Sequence, residues 1–269
     1  MNSADARPPR PGFWHDRHCV VTGASSGLGK ALARLAAARG ARVGLVARRE
    51  SLLQEAVAAI AAAGGTAACA VADVSDRRQV AEAVRRLEER LGPCDVAIAN
   101  AGLYRLTDGA AFDADRAERV IATNVIGVTN LLGAVLPGMV ARRRGHVCGI
   151  SSIGSFLPLR GSGAYGGSKA AVNALLRGVR LDVEPHGVVV TIVQPGFIDT
   201  AMITEEERRH TRGLLTAEEA GRRILEAIER GRREAAFPAS LALACRLAAL
   251  LPWPIYRRIM RKVPPLAET

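Results

Sequence analysis

The stretch Cys19-Val20-Val21-Thr22-Gly23-Ala24-Ser25-Ser26-Gly27-Leu28-Gly29-Lys30 decides the fold. Its first residues are a short β-branched run, which predicts a strand; a helical pattern follows over residues 28–39. Between them, glycines at spacings of four and two let the backbone turn sharply and approach a pyrophosphate, whose charge meets the helix N-terminus. Three glycines also suit a plain tight connection, and the spacing departs from the commoner G-x-G-x-x-G. The strand before the turn and the helix after it favour a nucleotide site.

Outward from this stretch, strand-like and helix-like segments alternate. Strands are predicted at residues 41–47, 67–72, 96–99, 146–150, 188–193 and 235–237. Helices are predicted at 51–63, 77–91, 113–143, 164–183 and 217–230. The strands are unbroken apolar runs, as expected when both faces are buried. Such repeats imply an α/β fold, a single-domain doubly wound parallel sheet with helices on both sides. The expected division is a polar N-terminal tail (1–17), a dinucleotide-binding and catalytic domain (18–238), and a C-terminal apolar and basic helical extension (239–269).

The composition fits. Of 269 residues, 49% are hydrophobic and 23% charged, which excludes a disordered chain. The net charge of +11 raises nucleic acid as a partner, but no basic helix carries interleaved aromatics, so none is expected. The five cysteines are scattered and form no C-x-x-C pair, which argues against disulfides and zinc; no metal site is expected. The first 17 residues hold no apolar stretch long enough for a signal peptide, so a reducing cytoplasm is the default location. Residues 235–255 are almost wholly apolar, and 239–269 hold five basic residues against one acid. Three readings stand for that extension: a terminal helix docked on the domain or a partner subunit, peripheral contact with an anionic membrane, or a cap over the substrate pocket.

At the end of the second strand, where NAD sites usually carry an acid, stand Arg48 and Arg49. A guanidinium can grip a 2′-phosphate bidentately, so NADP(H) is expected over NAD(H). Arg48 is the better candidate because it lies closest to the strand end; Arg49 reads as a solvated helix-start residue. Tyr165 and Lys169, four apart, share one helix face. A neighbouring ammonium favours the phenolate, and a phenol tuned this way can exchange a proton with an alcohol oxygen. Thirteen residues earlier, Ser152 follows Ser151 at a strand end, where a hydroxyl can bond a substrate oxygen. A serine nucleophile is the rival idea, but there is no G-x-S-x-G elbow and no histidine base in evidence.

Taken together, these residues resemble the short-chain dehydrogenase/reductase family in its common form of about 250 residues. Thr22 to Gly29 matches its T-G-x-x-x-G-x-G, and Asp73-Val74 its adenine-contacting acid. Asn100-Ala101-Gly102 matches N-A-G, although Ala99 replaces the usual preceding Asn. Asn124, Val125 and Gly127 match N-V-x-G; Ser152, Tyr165 and Lys169 match the catalytic serine and Y-x-x-x-K; Pro195, Gly196 and Thr200 match P-G-x-x-x-T.

The resemblance implies a Rossmann fold and hydride transfer between nicotinamide and a carbonyl carbon. Tyr165 would be the acid or base, Lys169 would lower its pKa and hold the nicotinamide ribose, Ser152 would polarise the substrate oxygen, and Asn124 would hold a relay water. Gly23, Ser25, Ser26, Gly27, Leu28, Gly29, Arg48, Arg49, Asp73, Val74, Asn100, Ala101, Gly102, Tyr165, Lys169, Pro195, Gly196, Ile198 and Thr200 would bind the cofactor. Tyr104, Ser152, Phe156, Tyr165, Phe197 and Met202 would surround a lipophilic ketone, aldehyde or alcohol. A homodimer is expected, with the family's usual tetramer in doubt because its G-rich tail is replaced here. The alternatives are a 3-oxoacyl carrier-protein reductase and an NADP-binding sensor without turnover.

Overall fold

A computed structural model describes residues 12–157, 159–200, 208 and 213–261 of the chain. The first half runs β1 (His18–Thr22), α1 (Gly27–Ala37), β2 (Arg42–Ala47), α2 (Glu50–Ala62), β3 (Thr66–Val71), α3 (Arg77–Leu91) and β4 (Cys94–Ala99). Then come α4 (Ala114–Ile121), α5 (Gly127–Ala141), β5 (Gly145–Ile150), α6 (Gly163–Val183) and β6 (Val188–Pro195). The chain continues through β7 (Ile198–Asp199), β8 (Leu215–Thr216), α7 (Ala217–Glu229), β9 (Glu234–Phe237), α8 (Ala239–Ala248) and α9 (Trp253–Met260).

Seven strands form one sheet in the order β3-β2-β1-β4-β5-β6-β9, every neighbouring pair parallel. The chain builds outward from β1 to β3, then crosses back to lay β4 on the other side of β1. That reversal opens a crevice beyond the carboxyl ends of β1 and β4. Successive strand residues face opposite cores, because side chains alternate across a strand. Cys19 and Val21 pack with α1, α2 and α7, through Leu32, Leu53 and Ile224 among others. Val20 and Ala97 pack with α3, α5 and α6, through Leu87, Leu131 and Leu176. Truncating one of these fully buried leucines to Ala should cost about 2–5 kcal/mol.

Two expectations change, and the helical extension takes a definite form. Residues 12–17 are not a polar tail: Phe13 and Trp14 are buried in the first core, and the Trp14 indole N–H donates to Glu229 at 2.6 Å. The single helix expected over 113–143 divides into α4 and α5 around a π-turn, Ala122–Ile126. The extension is two helices, each preceded by a proline, Pro238 and Pro252. The run Ala114–Ala141 is long and apolar enough to cross a membrane, but Val128, Leu131, Val135 and Met139 within it pack in the second core. Its hydrophobicity is what a core helix requires. The charged segment 205–212 lies outside the described residues except for Arg208, which pairs with Asp199 at 2.8 Å.

Candidate active site

The glycine turn joins β1 to α1 at the crevice. Thr22 and Asn100 staple it to the end of β4: the backbone N–H groups of Asn100 and Ala101 both donate to Thr22 Oγ1 at 3.1 Å, and Asn100 Nδ2 donates to Thr22 O at 2.9 Å. Gly23 adopts φ +69°, and a Cβ there would stand 2.8 Å from Ala101 Cα. A Cβ at Gly29 would collide with the Gly23 carbonyl and lie 2.6 Å from Asn100 Nδ2. Gly29→Ala is therefore expected to destabilise the fold by about 1–3 kcal/mol, read as a lower urea midpoint at unchanged slope. No side chain caps the start of α1 and no acid stands in its first turn, which suits an anion at the helix N-terminus.

The rim at the end of β2 is basic. Arg48 reaches outward, 3.7 Å from Asp73. Arg49 folds back over the glycine turn and donates to Ser25 Oγ at 2.8 Å and Ser26 Oγ at 2.7 Å. It is thus not a merely solvated helix-start residue. Burial pushes the Asp73 carboxyl up, but hydrogen bonds from Ser75 and the Arg48 charge outweigh this and hold it below its ordinary range. Asp73 is therefore an anion at neutral pH.

Across the crevice, the start of α6 presents Tyr165 and Lys169 toward the end of β5. Lys169 Nζ donates to Ile150 O at 2.8 Å, and Ser151 Oγ donates back to Lys169 O at 3.1 Å, so strand and helix clasp each other. Burial lowers the Lys169 ammonium to about 8, which leaves it charged at neutral pH. It sits 5.8 Å from the centre of the Tyr165 ring. Burial raises the Tyr165 phenol above its ordinary value, with a hydrogen bond from Ser152 opposing. The expected lowering of Tyr165 by Lys169 is not what this geometry gives: burial dominates, and the phenol keeps its proton at neutral pH.

Asn124 lies behind the wall of the crevice, fully buried in the π-turn. Its Oδ1 accepts from Leu103 N at 2.7 Å, and its Nδ2 donates to Leu103 O at 3.0 Å and Ser168 Oγ at 2.9 Å. The side chain thus fastens the segment after β4 to α6. π-Turns often mark functional positions.

Turn, basic rim and Tyr165 line one continuous cavity of about 590 Å³. Every residue expected to bind the cofactor borders it, as do Ser152, Tyr104 and Phe197. Asn124 and Phe156 do not; Phe156 instead stacks beneath Arg246, 4.4 Å from ring centre to guanidinium. Met202 lies outside the described residues. Tyr104 meets Tyr165 edge to face at 5.0 Å. Leu241, Cys245 and Met260, from α8 and α9, also line it and carry no motif, so the extension caps the pocket, as one reading of the sequence has it. Their only sequence signal was the apolarity of the extension. Among the described residues, no group of His, Cys, Asp or Glu is arranged to hold a metal ion.

Comparisons with known proteins identify the family and the fold. A family model described as short chain dehydrogenase matches residues 17–211. An uncharacterised oxidoreductase of Myxococcus xanthus is 37% identical over 247 residues, covering 92% of this chain and 97% of its own length. The bovine dehydrogenase/reductase SDR family member 7B is 40% identical over 190 residues, covering 67% of this chain and 58% of its own. The crystal structure of levodione reductase superposes with a TM-score of 0.79 at 26% identity, covering 86% of this chain and 99% of that one. Motif order, parallel sheet, crevice and relatives coincide: the chain belongs to the short-chain dehydrogenase/reductase family of oxidoreductases.

Proposed function

We propose that the protein transfers a hydride between NADP(H) and the carbonyl or alcohol carbon of a lipophilic small molecule, with Tyr165 as the proton donor and acceptor. One observation carries the reading. A single cavity joins an uncapped helix start and a basic, hydroxyl-lined rim to Ser152, Tyr165 and Lys169. The rim and helix start suit a phosphorylated dinucleotide, and Asp73 suits its adenosine end.

When bound, the nicotinamide gives or takes the hydride. The chain's own residues do the rest. Tyr165 hands its phenolic proton to the substrate oxygen in reduction and recovers it in oxidation. Ser152 hydrogen-bonds the same oxygen as charge builds on it. Lys169, a cation at neutral pH, binds the ribose beside the phenol. Asn124 keeps α6 and the segment after β4 in register, which fixes where Tyr165 stands. Tyr104, Leu157, Leu159, Phe197 and Leu241 give the substrate end an apolar lining, and among the described residues no cluster of cations stands there to clamp an anionic substrate.

The free, scattered thiols suit a cytoplasmic setting. The protein assembles as a homodimer in this proposal, with analytical ultracentrifugation as the check. An NADPH-oxidation screen across apolar ketones, aldehydes and oxoacyl thioesters, with NADH as control, tests the function. Turnover on apolar ketones or aldehydes with NADPH preferred is the expected result. Turnover confined to oxoacyl thioesters would make the protein a carrier-type reductase, and NADPH binding without oxidation of any kind would make it a sensor.

A further inference from the structure

The extension has two unlike faces. Leu241 and Cys245 of α8 and Met260 of α9 line the cavity, while Ala242 is buried on the domain. Arg246 pins α8 in place, between the Phe156 ring and Glu234, 3.6 Å from its carboxylate. Among the described residues the opposite side is apolar and exposed. Leu243, Leu247 and Leu250, at spacings of four and three, form one exposed stripe, and α9 exposes Ile255 and Ile259, four apart. Leu250 is 81% exposed and Trp253 is 67% exposed, which is unusual for side chains of this size. Trp253 stacks on Tyr256 at 5.7 Å on the side of α9 that carries Met260, with Trp253 still reaching solvent.

Charge selects the occupant. Residues 239–261 contain four arginines (Arg246, Arg257, Arg258 and Arg261) and no acid. A second copy would meet this face across a two-fold axis, setting Arg257, Arg258 and Arg261 against themselves with no acid in the segment to pair them. An anionic lipid surface satisfies both halves: the apolar stripe enters the headgroup boundary and the arginines meet the phosphates.

We propose that the outer face of α8 and α9 seats the enzyme on an anionic lipid surface. Because the inner face of the same helices walls the cavity, the seated enzyme takes carbonyl compounds dissolved in the bilayer; this second clause rests on the proposed function.

The test is co-sedimentation of the full chain with phosphatidylcholine vesicles with and without phosphatidylserine. Wild-type protein is expected to pellet with the anionic vesicles only, and less so as salt rises. Arg257→Gln with Arg258→Gln should weaken binding about 25-fold, from about fivefold per arginine near an anionic surface. Leu247→Glu with Leu250→Glu should abolish it while turnover of a water-soluble ketone stays at the wild-type level. Wild-type protein that stays in the supernatant with anionic vesicles overturns the proposal. So does vesicle binding that the two glutamates leave untouched, or a stripe that proves buried in a dimer. Vesicle binding alongside a failed NADPH-oxidation screen would keep the lipid surface and remove the proposed reaction.

Discussion

Tyr165→Phe is expected to lower kcat by about 100- to 10,000-fold, the range a general acid contributes, while the Kd for NADPH is unchanged. The substitution deletes one oxygen and leaves the ring, so the edge-to-face contact with Tyr104 and the wall of the cavity survive. Lys169 is anchored at the Ile150 carbonyl and assigned to the ribose, not to the substrate oxygen, and Ser152, an aliphatic alcohol, is far too weak an acid, so neither replaces the phenol. Ser152→Ala should cost less, because the phenol would still deliver the proton to an oxygen that had lost only one hydrogen bond. Titrating each variant with NADPH separates binding from chemistry, and single-turnover measurement reports the step itself. Wild-type turnover by Tyr165→Phe would remove Tyr165 from the mechanism.

The raised phenol also sets a sign for pH. Reduction needs protonated Tyr165, and burial keeps it protonated through the neutral range, so the reduction rate should be flat there. Alcohol oxidation needs the ionised phenol, whose population grows as pH approaches the raised value. Its rate should therefore climb steadily through neutral pH, and the climb should vanish in Tyr165→Phe. A reduction rate that rose with pH would contradict the assignment.

Features built on local spacing were legible in the sequence. The strand, glycine turn and helix from Cys19 onward depend on residues near one another in the chain, and so does the placement of Tyr165 and Lys169 on one helix face. The covered parallel sheet followed because its strands are unbroken apolar runs, whereas the order β3-β2-β1-β4-β5-β6-β9 is not written in those runs. Features built where distant segments meet were hidden. Arg49 looked solvated because its partners, Ser25 and Ser26, stand on another loop. Phe13 and Trp14 stand among polar and proline residues, and contacts with His146 on β5 and Glu229 on α7 explain their burial. The extension read as apolar, but which face of α8 would turn inward depended on Arg246 finding Phe156 and Glu234 across the fold. Asn124 was found through its motif, yet its engagement with Leu103 and Ser168 follows from a π-turn that hydrophobic periodicity does not reveal.

Replacing both rim arginines, Arg48→Ala with Arg49→Ala, is expected to raise the KM for NADPH by about 100-fold, as charge-assisted hydrogen bonds contribute about 1.5–3 kcal/mol each, and to leave the KM for NADH nearly unchanged. The two differ only in the 2′-phosphate, so any loss confined to NADPH reports contacts to that group. The single variants should divide unequally. Arg48 extends into solvent beside Asp73, so its charge is partly screened and already balanced by a carboxylate. Arg49 is held by two hydroxyls at the turn, and that preorganisation reduces what it loses on gripping a phosphate. Arg49→Ala should thus carry most of the effect, and Arg49→Lys should not restore it, because an ammonium lacks the planar fork. If the affinities for NADPH and NADH fell together in Arg49→Ala, the guanidinium would be a brace for Ser25 and Ser26 and not a phosphate ligand. If neither fell, the basic rim would have no part in choosing the cofactor.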